Sequence, residues 1–316
     1  MKKLLPFLAL LPLAGLVYAC GDDDGESGVV TPVPDVTKKT FDAATEDVVV
    51  DAGPVSFAIP FEARINGQPF KCGQSYANLG TASTTARPQD LRFFVSEVKL
   101  VRTGTAETVP VTLAAGEMQS EDIALMDFED KTDGCKDGTV ETHTTLTGTA
   151  PAGTYDGIEL TVGVPSTSNH GNPDQAAAPL LGSGLQWSWN SGYIFFALGM
   201  IPAPRVDTTQ PDTFFAHIGS TGCSGNANTG QPVTCTRPNR MSVKLSSFDP
   251  AASKIVLDLE KLYASSDLTV NTDKTAGGCM SFAGDPECPA IFEKLGLSYD
   301  TGVSTATPVI FSVGAR

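Results

Sequence analysis

Apolar and polar residues alternate with period two along much of the chain beyond residue 54. Ile158, Leu160, Val162 and Val164 alternate with Glu159, Thr161 and Gly163. Met241, Val243 and Leu245 alternate with Ser242, Lys244 and Ser246, and Ile255, Leu257 and Leu259 with Val256, Asp258 and Glu260. That period sends one set of side chains to each face of an extended segment, so these runs predict half-buried strands. Leu91–Val101 reads as a further strand. Val55–Ala63 alternates weakly and runs into Asn66-Gly67, a pair suited to a two-residue hairpin turn. Helical periodicity is scarce: Pro289–Leu297, with proline near its start, predicts one short helix, and Gln175–Leu181 a second. No internal repeat is visible. Gly/Pro-rich turns separate the strands. The pattern predicts an all-β fold, an antiparallel β-sandwich or barrel-like domain with long loops and one or two short helices.

One stretch, Asn169–Phe196, concentrates unusual residues. It holds both tryptophans, Trp187 and Trp189, and His170, one of three histidines. In an extended segment Trp-x-Trp places both indoles on one face. Continued alternation adds Tyr193 and Phe195 to that face, unless Gly192 introduces a bulge. The stretch reads either as an aromatic cluster in a β-core or as a metal pocket where an imidazole meets an electron-rich indole.

The N-terminus breaks the pattern. Lys2 and Lys3 precede an apolar run, Leu4–Tyr18, too short for a comfortable membrane span, which predicts a signal peptide over residues 1–19. Leu16-Val17-Tyr18-Ala19-Cys20 resembles a bacterial lipobox, making Cys20 the expected lipidation site. Gly21 after it, rather than aspartate, favours the outer membrane by resemblance to lipoprotein sorting signals. The expected location is the periplasm or cell surface, as an outer-membrane lipoprotein. Residues 20–54, with Asp22-Asp23-Asp24, Pro32 and Pro34, read as the lipidated cysteine and a flexible linker, reaching about 30 Å on average. Residues 55–316 then form one β domain. A net charge of −15 without a basic patch argues against nucleic acid as a partner.

Export changes the reading of the cysteines. Six remain besides Cys20, an even number that predicts disulfides. Pairing of neighbours gives Cys72–Cys135, Cys223–Cys235 and Cys279–Cys288. The first closes a loop of about sixty residues, worth about 4 kcal/mol on the chain-entropy model. The absence of CxxC argues against zinc-ribbon and redox-active motifs. Neither HExxH, His-x-His, an EF-hand loop nor GxSxG is present, and no spacing singles out a pair of carboxylates for acid–base work.

A series of short motifs does carry a resemblance. Cys72-Gly73, Asp90–Ser96, Leu125–Asp130, Cys135, Gly163-Val164-Pro165, Asn169-His170, Ala178-Pro179-Leu180, Trp187-Ser188-Trp189, Gly192-Tyr193, His217–Cys223 and Cys235 occur in one order. From about residue 55 to 265 this resembles the MbnP family, the four-Cys proteins of the metallo-mystery pair system. The resemblance implies an exported copper-binding protein, more a substrate of a partner enzyme than an enzyme itself. The implied partner is a di-haem cytochrome c peroxidase-like (MbnH-like) protein, which oxidises a tryptophan to kynurenine beside the metal. Carried over, His170 and His217 are the implied copper ligands, and Trp187 or Trp189 the oxidised residue. The four family cysteines are Cys72, Cys135, Cys223 and Cys235; Cys279 and Cys288 fall outside the motif. The N-terminal segment Phe57–Phe70 offers no histidine, although it contains Glu62; His143 substitutes only if the fold brings it near. Asn169 or Asp174 is placed to orient a ring nitrogen. Neutral imidazole suits copper, and protonation near pH 6 to 7 would compete with it. Two readings from other classes stand beside this one: a mononuclear copper enzyme, and a structural surface lipoprotein without metal.

Overall fold

A computed structural model describes residues 53–204 and 212–316, all within the compact unit Val50–Arg316. The signal peptide, the Cys20 anchor and nearly all of the linker lie outside the described residues. Among the described residues, no helix is long and apolar enough to cross a membrane.

The expected all-β fold is observed. The main strands are β1 (Pro54–Ile65), β2 (Thr84–Arg102), β3 (Ile123–Asp127), β4 (Thr145–Pro151), β5 (Tyr155–Val162), β6 (Gly192–Ala203), β7 (Phe214–Gly219), β8 (Thr221–Asn226), β9 (Gln231–Arg237), β10 (Met241–Ser246), β11 (Ser253–Asp258) and β12 (Phe311–Ala315). The larger sheet runs β10-β5-β2-β6-β7 and ends on the short strand Gly278–Cys279, with β3 also pairing with β2. The smaller sheet runs β12-β11-β1-β4 and ends on Thr112–Leu113. Strands β8 and β9 form a separate hairpin. Most pairings are antiparallel; β1 with β11 and β7 with Gly278–Cys279 are parallel.

The main core includes Ile59, Phe61 and Ile65 of β1, Phe93 of β2, Phe196 of β6, and Ile255 and Leu257 of β11. A second, smaller core contains Phe94, Leu125, Tyr193, Phe195 and Ala197. Successive residues Phe93 and Phe94 enter different cores because alternate side chains leave a strand on opposite faces. A sheet covered on both faces needs apolar residues without interruption, which is why LRFFV and YIFFA do not alternate.

Local details follow the residues. At the expected hairpin, Asn66 (φ 51°) and Gly67 (φ 73°) are both left-handed, and Ile65 pairs with Gln68. The expected helix at Pro289–Leu297 spans Cys288–Lys294. It stops before Gly296, whose φ of 63° ends it in the left-handed region. The helix expected over Gln175–Leu181 does not form. One 3-10 turn occupies Pro173–Gln175 and the chain then turns through Pro179, which lacks an N–H and biases Ala178 away from the helical region. All three disulfides pair as expected: Cys72–Cys135, Cys223–Cys235 and Cys279–Cys288.

Candidate metal centre

Asn169 is the anchor of the loop that presents His170. It is 2% exposed. Its Oδ1 accepts from Tyr193 N–H at 2.9 Å and its Nδ2 donates to Ser220 Oγ at 2.8 Å. The loop is thus tied to the start of β6 and to the β7–β8 junction. Gly192 makes this approach feasible: a Cβ there would lie 2.5 Å from Asn169 Oδ1. Asn169 Nδ2 also faces His170 Nε2 at 3.3 Å. Asn169→Ala would leave the buried Tyr193 amide unpaired. We expect a loss of about 1–3 kcal/mol in chemical denaturation. Wild-type stability would show that solvent replaces the side chain.

His170 is half-exposed, but its Nδ1 is buried without a well-formed hydrogen bond. Burial lowers its pKa, and the Trp189 and Asn190 carbonyls pull the other way. His217 sits on β7, whose residues Phe214, Ala216 and Ile218 enter the main core. His217 therefore points to the opposite face, with its ring 4.6 Å from that of Phe215. Its Nε2 is also buried and unpartnered. Burial, aided by the charge of Arg92, pushes its pKa down to about 4, well below the range expected from sequence. Both imidazoles are held toward the neutral form, the form a metal binds.

The surroundings of His217 come from strand register. Asp127 pairs with Arg92, Arg92 with Ala197, and Ala197 with His217, forming one row across four strands. A cavity of 590 Å³ beside this row is lined by His217, Arg92, Asp90, Asp127, Leu125 and Ile194, among others. His170 lines other spaces: one of 430 Å³ with Ile123, Leu180 and Tyr193, and one of 240 Å³ with Phe195, Ser220, Cys235 and Arg240. The loop at 176–185 contributes to both sides, with Leu180 toward His170 and Leu185 toward His217. The two rings thus occupy separate cavities flanked by one loop.

The indoles also separate. Trp187 lies on the short strand Gln186–Ser188, but Trp189 lies in the turn before β6. The expected shared face is therefore not formed. The turn and a register shift between Gln186 and Ser188 end the alternation, with Gly192 at φ 80°. The Trp187 ring covers Gly219, two residues beyond His217, and stacks on Phe282 with centroids 5.8 Å apart. The Trp189 backbone reaches the His170 loop: its carbonyl accepts from Gly171 N–H and faces the imidazole.

Comparison with known proteins now bears on this arrangement. The MbnP family model matches residues 54–281. The chain belongs to the MbnP family. A similar solved structure is MbnP from Methylosinus trichosporium, at 34% identity and a TM-score of 0.76, with 84% of this chain and 99% of that chain covered. Comparison with curated proteins gives no match. The MbnP family is linked to metal handling, and this member carries side-chain groups able to hold a metal.

Other residues singled out in this MbnP-family chain are placed as follows. His143 pairs with Asp127 and extends the same row, with Nδ1 2.6 Å from the Leu125 carbonyl. Three strands, β3, β2 and β6, separate it from His217. Glu62 is engaged by Arg64 and Lys254 on the smaller sheet. Asp174 is exposed at the 3-10 turn. Residues not assigned a role from sequence include Arg92, Asp90, Asp127 and Arg240. A signal for the first two exists: opposite charges two residues apart, entering a continuous apolar run.

Proposed function

We propose that this protein is an exported copper-binding protein of the MbnP family. It is held at the membrane through a lipidated Cys20 and matured by a di-haem peroxidase-like partner. His170 and His217 are its nitrogen donors, each facing its own cavity rather than sharing one ion. The observation that carries this reading is that His217 Nε2 is buried without a hydrogen-bond partner, while His170 is kept toward its neutral form by burial. A buried polar atom left unpaired costs about 1–3 kcal/mol, a cost a metal–ligand bond removes. Copper would supply a Lewis-acidic, redox-active ion suited to neutral imidazole. The chain's own contribution is to keep both rings neutral through burial and to orient His170 through Asn169. Trp189 is the oxidation candidate whose backbone reaches the His170 loop, and Trp187 the one beside the β7 strand of His217.

Anaerobic Cu(I) titration against a chromogenic chelator tests the reading, using protein made with and without the partner. His170→Ala and His217→Ala are each expected to weaken binding by at least about tenfold. A variant that binds like wild type removes that histidine from the ligand set; wild-type binding in both ends the assignment. Peptide mass spectrometry after co-production is expected to find kynurenine at Trp187 or Trp189. Two intact indoles would remove the partner from the proposal.

A further inference from the structure

The β8–β9 hairpin stands apart from both sheets and carries the Cys223–Cys235 bridge. The two cysteines are direct partners in its register. Both are half-exposed, whereas each of the other two bridges has at least one buried cysteine: Cys135 in the first, Cys279 and Cys288 in the second. Asn190 seats the hairpin by donating to the Gly225 carbonyl and accepting from Ala227 N–H.

His170 arrives at this bridge from a distant part of the chain. Its Nε2 lies 3.6 Å from Cys235 Sγ, and a ring nitrogen and both sulfurs lie within 4.8 Å of one another. A disulfide sulfur is a poor ligand, but a thiolate is a strong one. A tetrahedral ion bonded at about 2.0–2.1 Å to nitrogen and about 2.3 Å to sulfur spans about 3.6 Å between the two atoms. The observed separation suits a shared ion for His170 and Cys235, and the Cys223 sulfur moves away from Cys235 once the bridge is reduced. Arg240 lines the same 240 Å³ cavity as His170 and Cys235. Its Nη2 serves Glu97 and Ser96, but its Nε is buried without a partner. A guanidinium lining the cavity tolerates added negative charge there, although Glu97 already offsets part of its own.

We propose that reduction of the Cys223–Cys235 bridge opens a metal site for a soft ion, Cu(I) or Zn(II). Its ligands are the two thiolates and the His170 imidazole. A dithiol reductant gives the bridge two electrons and two protons and itself becomes a disulfide. The incoming ion then displaces the two thiol protons. The site shares His170 with the copper reading above, but needs neither His217 nor an oxidised indole. It does not depend on whether the oxidised protein binds copper.

The test uses the full chain made without the oxidising partner and treated with limiting dithiothreitol. Alkylation and peptide mapping should find Cys223 and Cys235 opened first. The reduced protein should then take up Co(II), the spectroscopic probe, with a thiolate-to-cobalt charge-transfer band that the oxidised protein lacks. Blocking the two thiols with N-ethylmaleimide should abolish the band without altering the far-ultraviolet circular dichroism. His170→Ala should weaken uptake by about tenfold or more. Earlier opening of another bridge, no band after reduction, a band surviving thiol blockade, or wild-type uptake by His170→Ala would each overturn the proposal. Copper titration of the oxidised protein reports separately on the copper reading.

Discussion

Replacing Arg92 with methionine is expected to destabilise the domain by about 3–5 kcal/mol at pH 8 and by distinctly less at pH 5. Arg92 is 3% exposed, and its Nε and Nη2 both donate at 2.8 Å to Asp90, which is equally buried. Its Nη1 donates to the Ser183 carbonyl, and Asp127 is its neighbour across β3. Glu129, fully buried, keeps one carboxylate oxygen unpaired. Methionine fills similar volume but leaves this group of carboxylates without its buried cation.

The pH dependence has a definite sign. Burial raises the pKa of Asp127 and of Glu129 to about 7, with the charge of Arg92 opposing, and burial raises that of Asp90 too. These folded values exceed the unfolded values of 3.8 and 4.5, so the folded state takes up protons first. The stability they contribute is complete below about pH 4 and is lost as pH rises through 7. His217 runs the other way. Its folded value near 4 lies below the unfolded 6.5, so its contribution is present above 6.5 and is lost as pH falls toward 4. Removing Arg92 removes the opposing charge from the carboxyls, so the penalty grows with their ionisation. Urea denaturation at pH 8, 6.5 and 5 measures it; a loss of equal size at all three would contradict this account.

Phe93→Ala is expected to cost about 3–5 kcal/mol. The ring is fully buried and lies within 5.8 to 6.2 Å, centroid to centroid, of Phe61, Phe128, Phe196 and Phe311. Those rings come from both sheets and from the segment after β3, so truncation leaves a void that no single element can close. The measurement is the shift in urea midpoint at constant slope. A cost under about 1 kcal/mol would mean that the neighbouring rings collapse into the space.

The legibility of this chain varied with the range of the forces involved. Strand positions at Ile158–Val164 and Met241–Ser246 were readable because one face of each meets the core and the other remains more exposed, a local pattern of period two. The hairpin at Asn66-Gly67 was readable because its turn geometry is set by two residues. Gln175–Leu181 forms no helix because Pro179 lacks an N–H and biases Ala178 away from the helical region. Trp-x-Trp misled because strand alternation was extended through residues that turn.

The sequence by itself determined the class of strands, the presence of disulfides among six cysteines and the motif order of the MbnP family. Each rests on residues close in sequence, on parity or on ordered short motifs. Only the tertiary structure decided that His170 and His217 occupy separate cavities, that the Trp189 backbone reaches the His170 loop, and that Arg92 lies beside Asp127. The placing of His217 and Arg92 arises from register between strands far apart along the chain, where a shift of one residue would turn each side chain to the other face.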